Sequence, residues 1–561
     1  MSPASDTPRA LADRYVEAVC DLDPITATSL GTRPGDDRLP NFSPAGLEAE
    51  AELDRRTLAE LDALGESDDP VERRCARLLR ERLSAQIAVH DAGENYRTLS
   101  NLFSPVHSVR QVFALMPRAT DDDWAVIGRR LARVPEAYRG FVESLREGRR
   151  RGLLVAPRQV STVVGQLDEW LAGPYFGTFV ADGPEGLREE LRTSAAAADG
   201  AVAEVRDFLR DEYAPATEGT PDAVGRERYA LAARRWTGSD LGAGPGLEEA
   251  YAWGWGEHRR ILAEQETAPG KVLAGATPEE ARRWLHDNGP AVDGVEGIRE
   301  HLQTLMDRTI AELDGTHFDL AEPVRQVEAM IAPPGSAAAP YYTRPAQDFS
   351  RPGRTWLPTL GRDRFPLWDL VSIWYHEGAP GHHLQLAQWA LVSGQLSTYQ
   401  TSIGQVSANA EGWALYAERL MDELGYFTDP GERLGFLDEQ QLRAIRVVID
   451  IGMHLGLPVP ADADGFLAAH RGEPWTPELA RAFLGEHTGA PAEMLDSELV
   501  RYLGIPGQAI GYKLGERAWL DGRSAARRRH GDRFDLKTWH MAALSQGSLG
   551  LDDLTAELAD L

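Results

Sequence analysis

Between Trp374 and Gln385 the chain reads Trp-Tyr-His-Glu-Gly-Ala-Pro-Gly-His-His-Leu-Gln, which gathers His376, Glu377, His382 and His383 within eight residues. Imidazoles beside a carboxylate are the donor set of a divalent-metal site with a general base, and zinc is the expected occupant. In the common zinc-hydrolase helix the two histidines stand four residues apart and share one face. Here His382 is six residues and His383 seven residues beyond His376. On an unbroken helix, turning roughly 100° per residue, only His383 would return to the face of His376. Pro380-Gly381 interrupts that geometry, because proline removes an amide donor and crowds the carbonyl four residues back. If two residues loop out, His382 takes the four-residue place. His382 is therefore the favoured second ligand, and His383 is left to support it or to touch substrate. Glu377 is then the general base that takes a proton from a metal-activated water and passes it to a leaving amine.

A second signal follows at Asn409-Ala410-Glu411-Gly412-Trp413-Ala414-Leu415-Tyr416-Ala417-Glu418. The apolar positions Trp413, Tyr416, Ala417, Leu420 and Met421 mark a buried stripe. Glu411 lies off that stripe and is the candidate third ligand, with Glu418 two turns on as its support. Arg443, Arg446, Asp450 and His454 step along one further helix. Asp450 is expected to orient His454, which would face substrate or a developing oxyanion. Arg501 and Tyr502, with Gln508, Tyr512 and Lys513 around Pro506-Gly507, form a last cluster. Tyrosine hydroxyls suit an oxyanion and arginine suits a substrate carboxylate. Arg501, Tyr502 and Tyr512 are accordingly read as catalytic, Gln508 and Lys513 as substrate-binding.

The elements that must position these residues are mostly helices. Apolar residues recur at helical spacing over 6–22, 45–65, 70–92, 122–150, 157–172, 187–213, 247–267, 277–288 and 294–314. The texture changes over 316–362, where Pro333, Pro334, Gly335, Pro340, Pro345 and Pro352 punctuate Phe318–Leu320, Val324–Ile331 and Tyr341–Thr343. This stretch predicts a small antiparallel sheet, whose edge would suit an extended peptide. Helix resumes after Pro366, apolar on all sides and so buried, and carries His376 and Glu377 inward. Further helices are expected over 383–393, 407–424, 431–457, 462–471, 476–485, 490–502, 507–529, 535–545 and 551–560. The expected organisation is an N-terminal helical half, 1–315, and a C-terminal half, 316–561, that carries the site.

Bulk properties narrow the partners. A net charge of −28 opposes nucleic acid and anionic membrane surfaces. No apolar run is long enough to span a bilayer, and Met1–Asp6 has neither the basic nor the apolar region of a signal peptide. Cys20 and Cys75, the only cysteines, have no ligand spacing and read as buried thiols of a reducing compartment. A cytoplasmic location is expected.

Tyr375–Gln385 and Glu411–Glu418 resemble the signature of the bacterial DUF885 family. So do Val447–His454, Arg501-Tyr502, Pro506-Gly507-Gln508, Tyr512–Gly515 and Gly547-Ser548-Leu549. That family is regarded as similar to gluzincin-type zinc peptidases, including the carboxypeptidase Taq and thimet-oligopeptidase-like groups. The resemblance implies a mainly α, two-lobed fold with a deep cleft. It also supports Gly381-His382-His383-Leu384 as the second-ligand segment after a two-residue insertion. The function expected is a zinc-dependent metallopeptidase, carboxypeptidase-like, acting on short peptides. The alternatives are a hydrolase of a non-peptide amide and a non-catalytic, metal-stabilised peptide-binding protein.

Overall fold

Proline and capping side chains set many of the helix starts in the computed structural model, which describes residues 7–333 and 339–561. Met1–Asp6, Pro334 and Gly335, used in the expectations above, lie outside the described residues. The first helix, Pro8–Leu22, starts behind Thr7, whose side chain accepts from the Ala10 amide, and buries Leu11, Ala12, Tyr15 and Val16. It ends at Asp23, whose carboxylate caps the next helix, Pro24–Leu30. Pro135 divides the helix expected over 122–150 into Asp121–Leu131 and Val134–Arg150. The mainly α expectation holds, with two small sheets. Among the described residues no helix is long and apolar enough to cross a membrane.

The chain packs into two compact units that interleave along the sequence. One contains residues up to Glu66, Arg82–Val224 and Ser497–Pro506. The helix Arg188–Phe208 runs through its core, and its small face of Ala195, Ala198 and Ala201 admits close neighbours. The other contains Ser67–Glu81, Gly225–Asp496 and Gly507–Leu561. Residues 225–315, read above with the N-terminal half, thus pack in the unit that carries the histidine motif.

Among the described residues five strands lie in this second unit. Strands β1 (Ala291–Asp293) and β5 (Arg364–Pro366) pair antiparallel. Strands β2 (Val327–Ile331), β3 (Tyr341–Thr343) and β4 (Gly353–Leu357) form a sheet of order β2-β4-β3. β4 runs parallel to β2, with Val327 opposite Gly353, and antiparallel to β3, with Tyr341 opposite Trp356. The sheet is mixed, not antiparallel as expected, because β3 crosses to the far edge of β4 instead of forming a hairpin with β2. Phe318–Leu320 is no strand; Phe318 makes only an isolated bridge to Asp314. Pro366 ends β5 instead of opening a helix. The next amide, of Leu367, still bonds to the Pro290 carbonyl, so the helix begins only at Leu370. The helix expected over 462–471 is a tight 3-10 segment, Gly465–His470. The helices Pro105–Leu115 and Arg226–Thr237 went unread.

Two helices that matter to the site, Ser407–Glu423 and Gly511–His530, cross at Gly412 and Gly515. A Cβ on Gly515 would stand 2.0 Å from the Ala408 carbonyl oxygen and 2.7 Å from Gly412 Cα. Only glycine allows this approach.

Candidate metal centre

The prolyl interruption does occur. One helix, Leu370–Glu377, stops at Gly378, and a second, His382–Leu391, starts behind Gly381. The loop folds back tightly: the Gly381 amide bonds to the Tyr375 carbonyl at 3.0 Å, and the His383 amide to the Gly378 carbonyl at 3.0 Å. A Cβ on Gly381 would lie 1.9 Å from the His376 carbonyl oxygen. Trp413 fixes the loop from the neighbouring helix by donating its indole N–H to the carbonyls of Pro380 (2.9 Å) and Gly381 (3.0 Å). Two residues before that tryptophan stands Glu411, so the same contact brings the carboxylate to the imidazoles.

The convergence is close. Glu411 Oε2 lies 3.3 Å from His376 Nε2 and 3.6 Å from His382 Nε2. The two rings are nearly perpendicular, with centroids 4.8 Å apart. Ligand atoms of His376, Glu377 and His382 also fall within 4.8 Å of one another. Glu377 and Glu411 thus approach the imidazoles from different helices. The His376 side chain is 4% exposed, while His382 and Glu411 keep 12% and 22%, so one side of the group is reachable.

His376 is held from behind. Its Nδ1–H donates to Glu418 Oε1 at 2.7 Å, and the Ser372 hydroxyl donates to the other oxygen of Glu418 at 2.7 Å. This carboxylate–histidine pairing orients Nε2 outward and raises its basicity. Burial opposes charge on His376, but its bonds to Glu411 and Glu418 prevail and lift its pKa to about 10. Burial would also raise Glu411, yet the hydrogen bonds and charges of His376 and His382 hold it well below the usual carboxylate range. For Glu377 burial prevails over the nearby histidines and raises the carboxyl.

His383 is turned elsewhere. Its Nδ1 accepts from the Tyr342 hydroxyl at 2.9 Å and its Nε2–H donates to the Val324 carbonyl at 2.7 Å. Burial depresses its pKa to about 4. Both nitrogens are spent on anchoring the helix His382–Leu391 to β3 and to Val324, so its expected contact with substrate does not fit.

The other predicted residues are distributed more widely. Lys513 is fully buried, and its ammonium meets Glu257 (2.8 Å), Gln440 Oε1 (2.6 Å) and Glu516. An ammonium has three donors, so none remains for substrate. Asp450 accepts from the Tyr229 hydroxyl (2.6 Å) and the Gly507 amide (2.9 Å), and lies 3.9 Å from His454 Nε2, too far to orient it by a hydrogen bond. His454 packs against the Tyr229 ring. Tyr512 lies beneath the Arg446 guanidinium at 4.9 Å, and Gln508 is buried next to Gly507. Arg501 and Tyr502 belong to the first unit, where Glu498 pairs with Arg501 at 2.7 Å and accepts from the Tyr502 hydroxyl. Ser372 went unread, although its place one turn before His376 was a usable signal.

The family described as "Bacterial protein of unknown function (DUF885)" matches residues 24–558. Among solved structures, the chain is similar to a protein titled a "putative lipoprotein" from Colwellia psychrerythraea, with 22% identity, 99% of this chain and 98% of that one covered, and a TM-score of 0.83. A second, titled a "putative lipoprotein of unknown function" from Shewanella oneidensis, shares 16% identity over 99% of this chain and 100% of its own, with a TM-score of 0.73. At these identities the likeness speaks to the fold alone. No curated protein matches.

Proposed function

The chain belongs to the DUF885 family, and we propose that it is a zinc-dependent hydrolase of amide bonds in short peptides. The observation that carries this reading is the spacing of Glu411 from the two imidazoles. Zinc bound tetrahedrally at about 2.0–2.1 Å sets neighbouring ligand atoms about 3.3 Å apart. The separations of 3.3 and 3.6 Å from Glu411 Oε2 to the two Nε2 atoms match that edge. His376, His382 and Glu411 would therefore hold the ion. A zinc ion in that place supplies Lewis acidity toward a carbonyl and toward water.

The protein's own groups divide the remaining work. Glu418 and Ser372 keep the His376 ring in one orientation and one tautomer. Glu377, whose carboxylate lies within 4.8 Å of donor atoms of both imidazoles, receives a proton from the attacking water and returns it to the departing amine. A likeness to gluzincin-type peptidases is part of this reading, supported by the order His376-Glu377 followed by Gly381-His382. A cytoplasmic setting is also part of it, supported by the two free, buried cysteines, Cys20 and Cys75.

A metal-stabilised binding protein is the second reading; in it Glu377, whose carboxylate lies among the donor atoms, serves as a ligand and not as a base. The test is a peptide-library digest read by mass spectrometry, with and without chelator, on the wild type and on Glu377→Gln. The hydrolase reading expects chelator-sensitive cleavage that Glu377→Gln abolishes while zinc content is kept. Cleavage by Glu377→Gln at the wild-type rate would overturn the assignment of the base.

A further inference from the structure

Beside the candidate centre runs the helix Pro430–Leu455, which carries Arg443 and, three residues on, Arg446. The charge of Arg443 reaches the carboxylates of the centre: it acts on Glu377 and Glu418, and Glu411 and Glu418 act on it. Those carboxylates come from two different helices, Leu370–Glu377 and Ser407–Glu423, and the helix that carries Arg443 packs against both. Glu411 and Glu418 are already committed to the histidines, and neither forms an ion pair with Arg443 among the described residues.

What Arg443 does bind occupies only part of its fork. Nη1 donates to the Glu439 carbonyl at 3.2 Å and pairs with the Glu439 carboxylate. Nε–H is buried and has no hydrogen-bond partner among the described residues. A buried donor without an acceptor is uncommon in a folded protein and asks for an explanation. The edge formed by Nε and Nη2 is the one that takes a carboxylate in a bidentate pair. The side chain keeps 11% of its surface exposed while Nε itself is enclosed, so an acceptor for this edge has to come from within the site. Arg446, also buried and lying over the Tyr512 ring, adds a second positive charge beside it.

We propose that Arg443 receives a free carboxylate of the substrate, so that the amide presented to the centre is the one adjoining that carboxylate. The substrate class is then short peptides addressed at their carboxyl end, or N-acyl amino acids. This rests on the hydrolase reading for the fate of the bond, but the carboxylate preference is a binding property and is measured without turnover. Arg443 is assigned as a substrate-binding residue, distinct from Glu377 and the three ligands. An arginine that served only to neutralise Glu411 and Glu418 would not distinguish a carboxylate from its amide.

The experiment uses the zinc-loaded full chain. Binding of 4-methylpentanoate and of 4-methylpentanamide, neither of which carries an amide beside a carboxylate, is measured by titration calorimetry on the wild type, Arg443→Gln and Arg443→Lys, with zinc content recorded for each. The proposal expects the acid to bind the wild type about tenfold or more tighter than the amide, as for a charge-assisted pair. That preference should vanish in Arg443→Gln and persist in weakened form in Arg443→Lys, which keeps the charge but not the fork. Equal binding of acid and amide to the wild type overturns it, and so does a preference that survives Arg443→Gln. If Arg443→Gln does not fold, the wild type and Arg443→Lys still decide: an undiminished preference in the lysine variant counts against the proposal. Absence of turnover on any peptide would remove the hydrolase reading and leave this binding result standing or falling on its own.

Discussion

Glu418→Gln isolates the contribution of the carboxylate behind His376. The substitution is close to isosteric. The amide oxygen can still accept from His376 Nδ1–H, and the amide nitrogen can donate to Ser372 Oγ, so both 2.7 Å contacts survive in outline. What disappears is the negative charge that makes His376 a stronger donor toward a metal. Loss of such a supporting partner costs about 10–100-fold in metal affinity, or about 1.4–2.8 kcal/mol. Glu418 is 1% exposed, so solvent screens this effect very little. Ser372→Ala removes one bond to the carboxylate but leaves its charge, and should lower affinity less than Glu418→Gln. His376→Ala removes a ligand and should lower it more. The assay is competition for zinc against a chromophoric chelator, with circular dichroism to confirm the fold. An affinity in Glu418→Gln equal to that of the wild type, or a loss in Ser372→Ala exceeding that in Glu418→Gln, would refute the orienting role.

Three further outcomes follow from the same coordinates. His382→Ala should lose zinc, whereas His383→Ala should keep it and instead lose thermal stability, because the Tyr342 hydroxyl and Val324 carbonyl lose their partner; equal zinc retention by both variants would undo the choice of His382. Gly515→Ala should destabilise the fold by about 1–3 kcal/mol in denaturant titrations, since the added methyl meets the Ala408 carbonyl and Gly412 and forces the two helices apart. Zinc affinity should fall with it, because Glu411 adjoins Gly412. His540 is buried, accepts from the Tyr416 hydroxyl at 2.7 Å, and has its pKa pushed by burial to about 3. Its folded-state pKa is depressed, so its contribution is fully present above the unfolded value of about 6.5 and is lost as pH falls below it. The stability difference between wild type and His540→Gln should therefore shrink by about 1 kcal/mol between pH 6.5 and 5.5; a difference constant with pH would contradict the neutral state.

Much of the centre was legible because its geometry is local. Proline chemistry alone required a break after Glu377, and the break decides which of two adjacent histidines turns toward Glu411. The supporting part of Glu418 followed from its seven-residue distance from Glu411 on one helix. The clusters around Lys513, His454 and Arg501 were not legible as to purpose. A buried ion pair and a ligand contact both place charged residues among apolar ones, and the pattern does not separate them. Lys513 is neutralised by Glu516, three residues on, and by Glu257, which like its third acceptor, Gln440, lies far from it in sequence.

The fold shows the same division. Most helices with a full apolar stripe were found to within a few residues; Pro105–Leu115, with Val106, Val109, Val112 and Phe113 buried, is an exception. Arg226–Thr237 was not, because it buries only Tyr229, Ala233 and Thr237 and is otherwise polar. The parallel pairing of β2 with β4 was hidden for a different reason: β3 lies between them in the chain, and nothing local specifies which edge of β4 each strand will take. Trp413 was read as core, and it is buried. Its bonds to Pro380 and Gly381, which join the two motifs, depend on a loop whose shape no spacing rule supplies.

The most direct measurement is an anomalous-scattering map at the zinc edge, from crystals of the protein grown with one equivalent of zinc. The account predicts a single peak within about 2.0–2.2 Å of His376 Nε2, His382 Nε2 and a Glu411 oxygen. A peak coordinated by other residues, or a Glu411 carboxylate directed away from both imidazoles with zinc present, would contradict it.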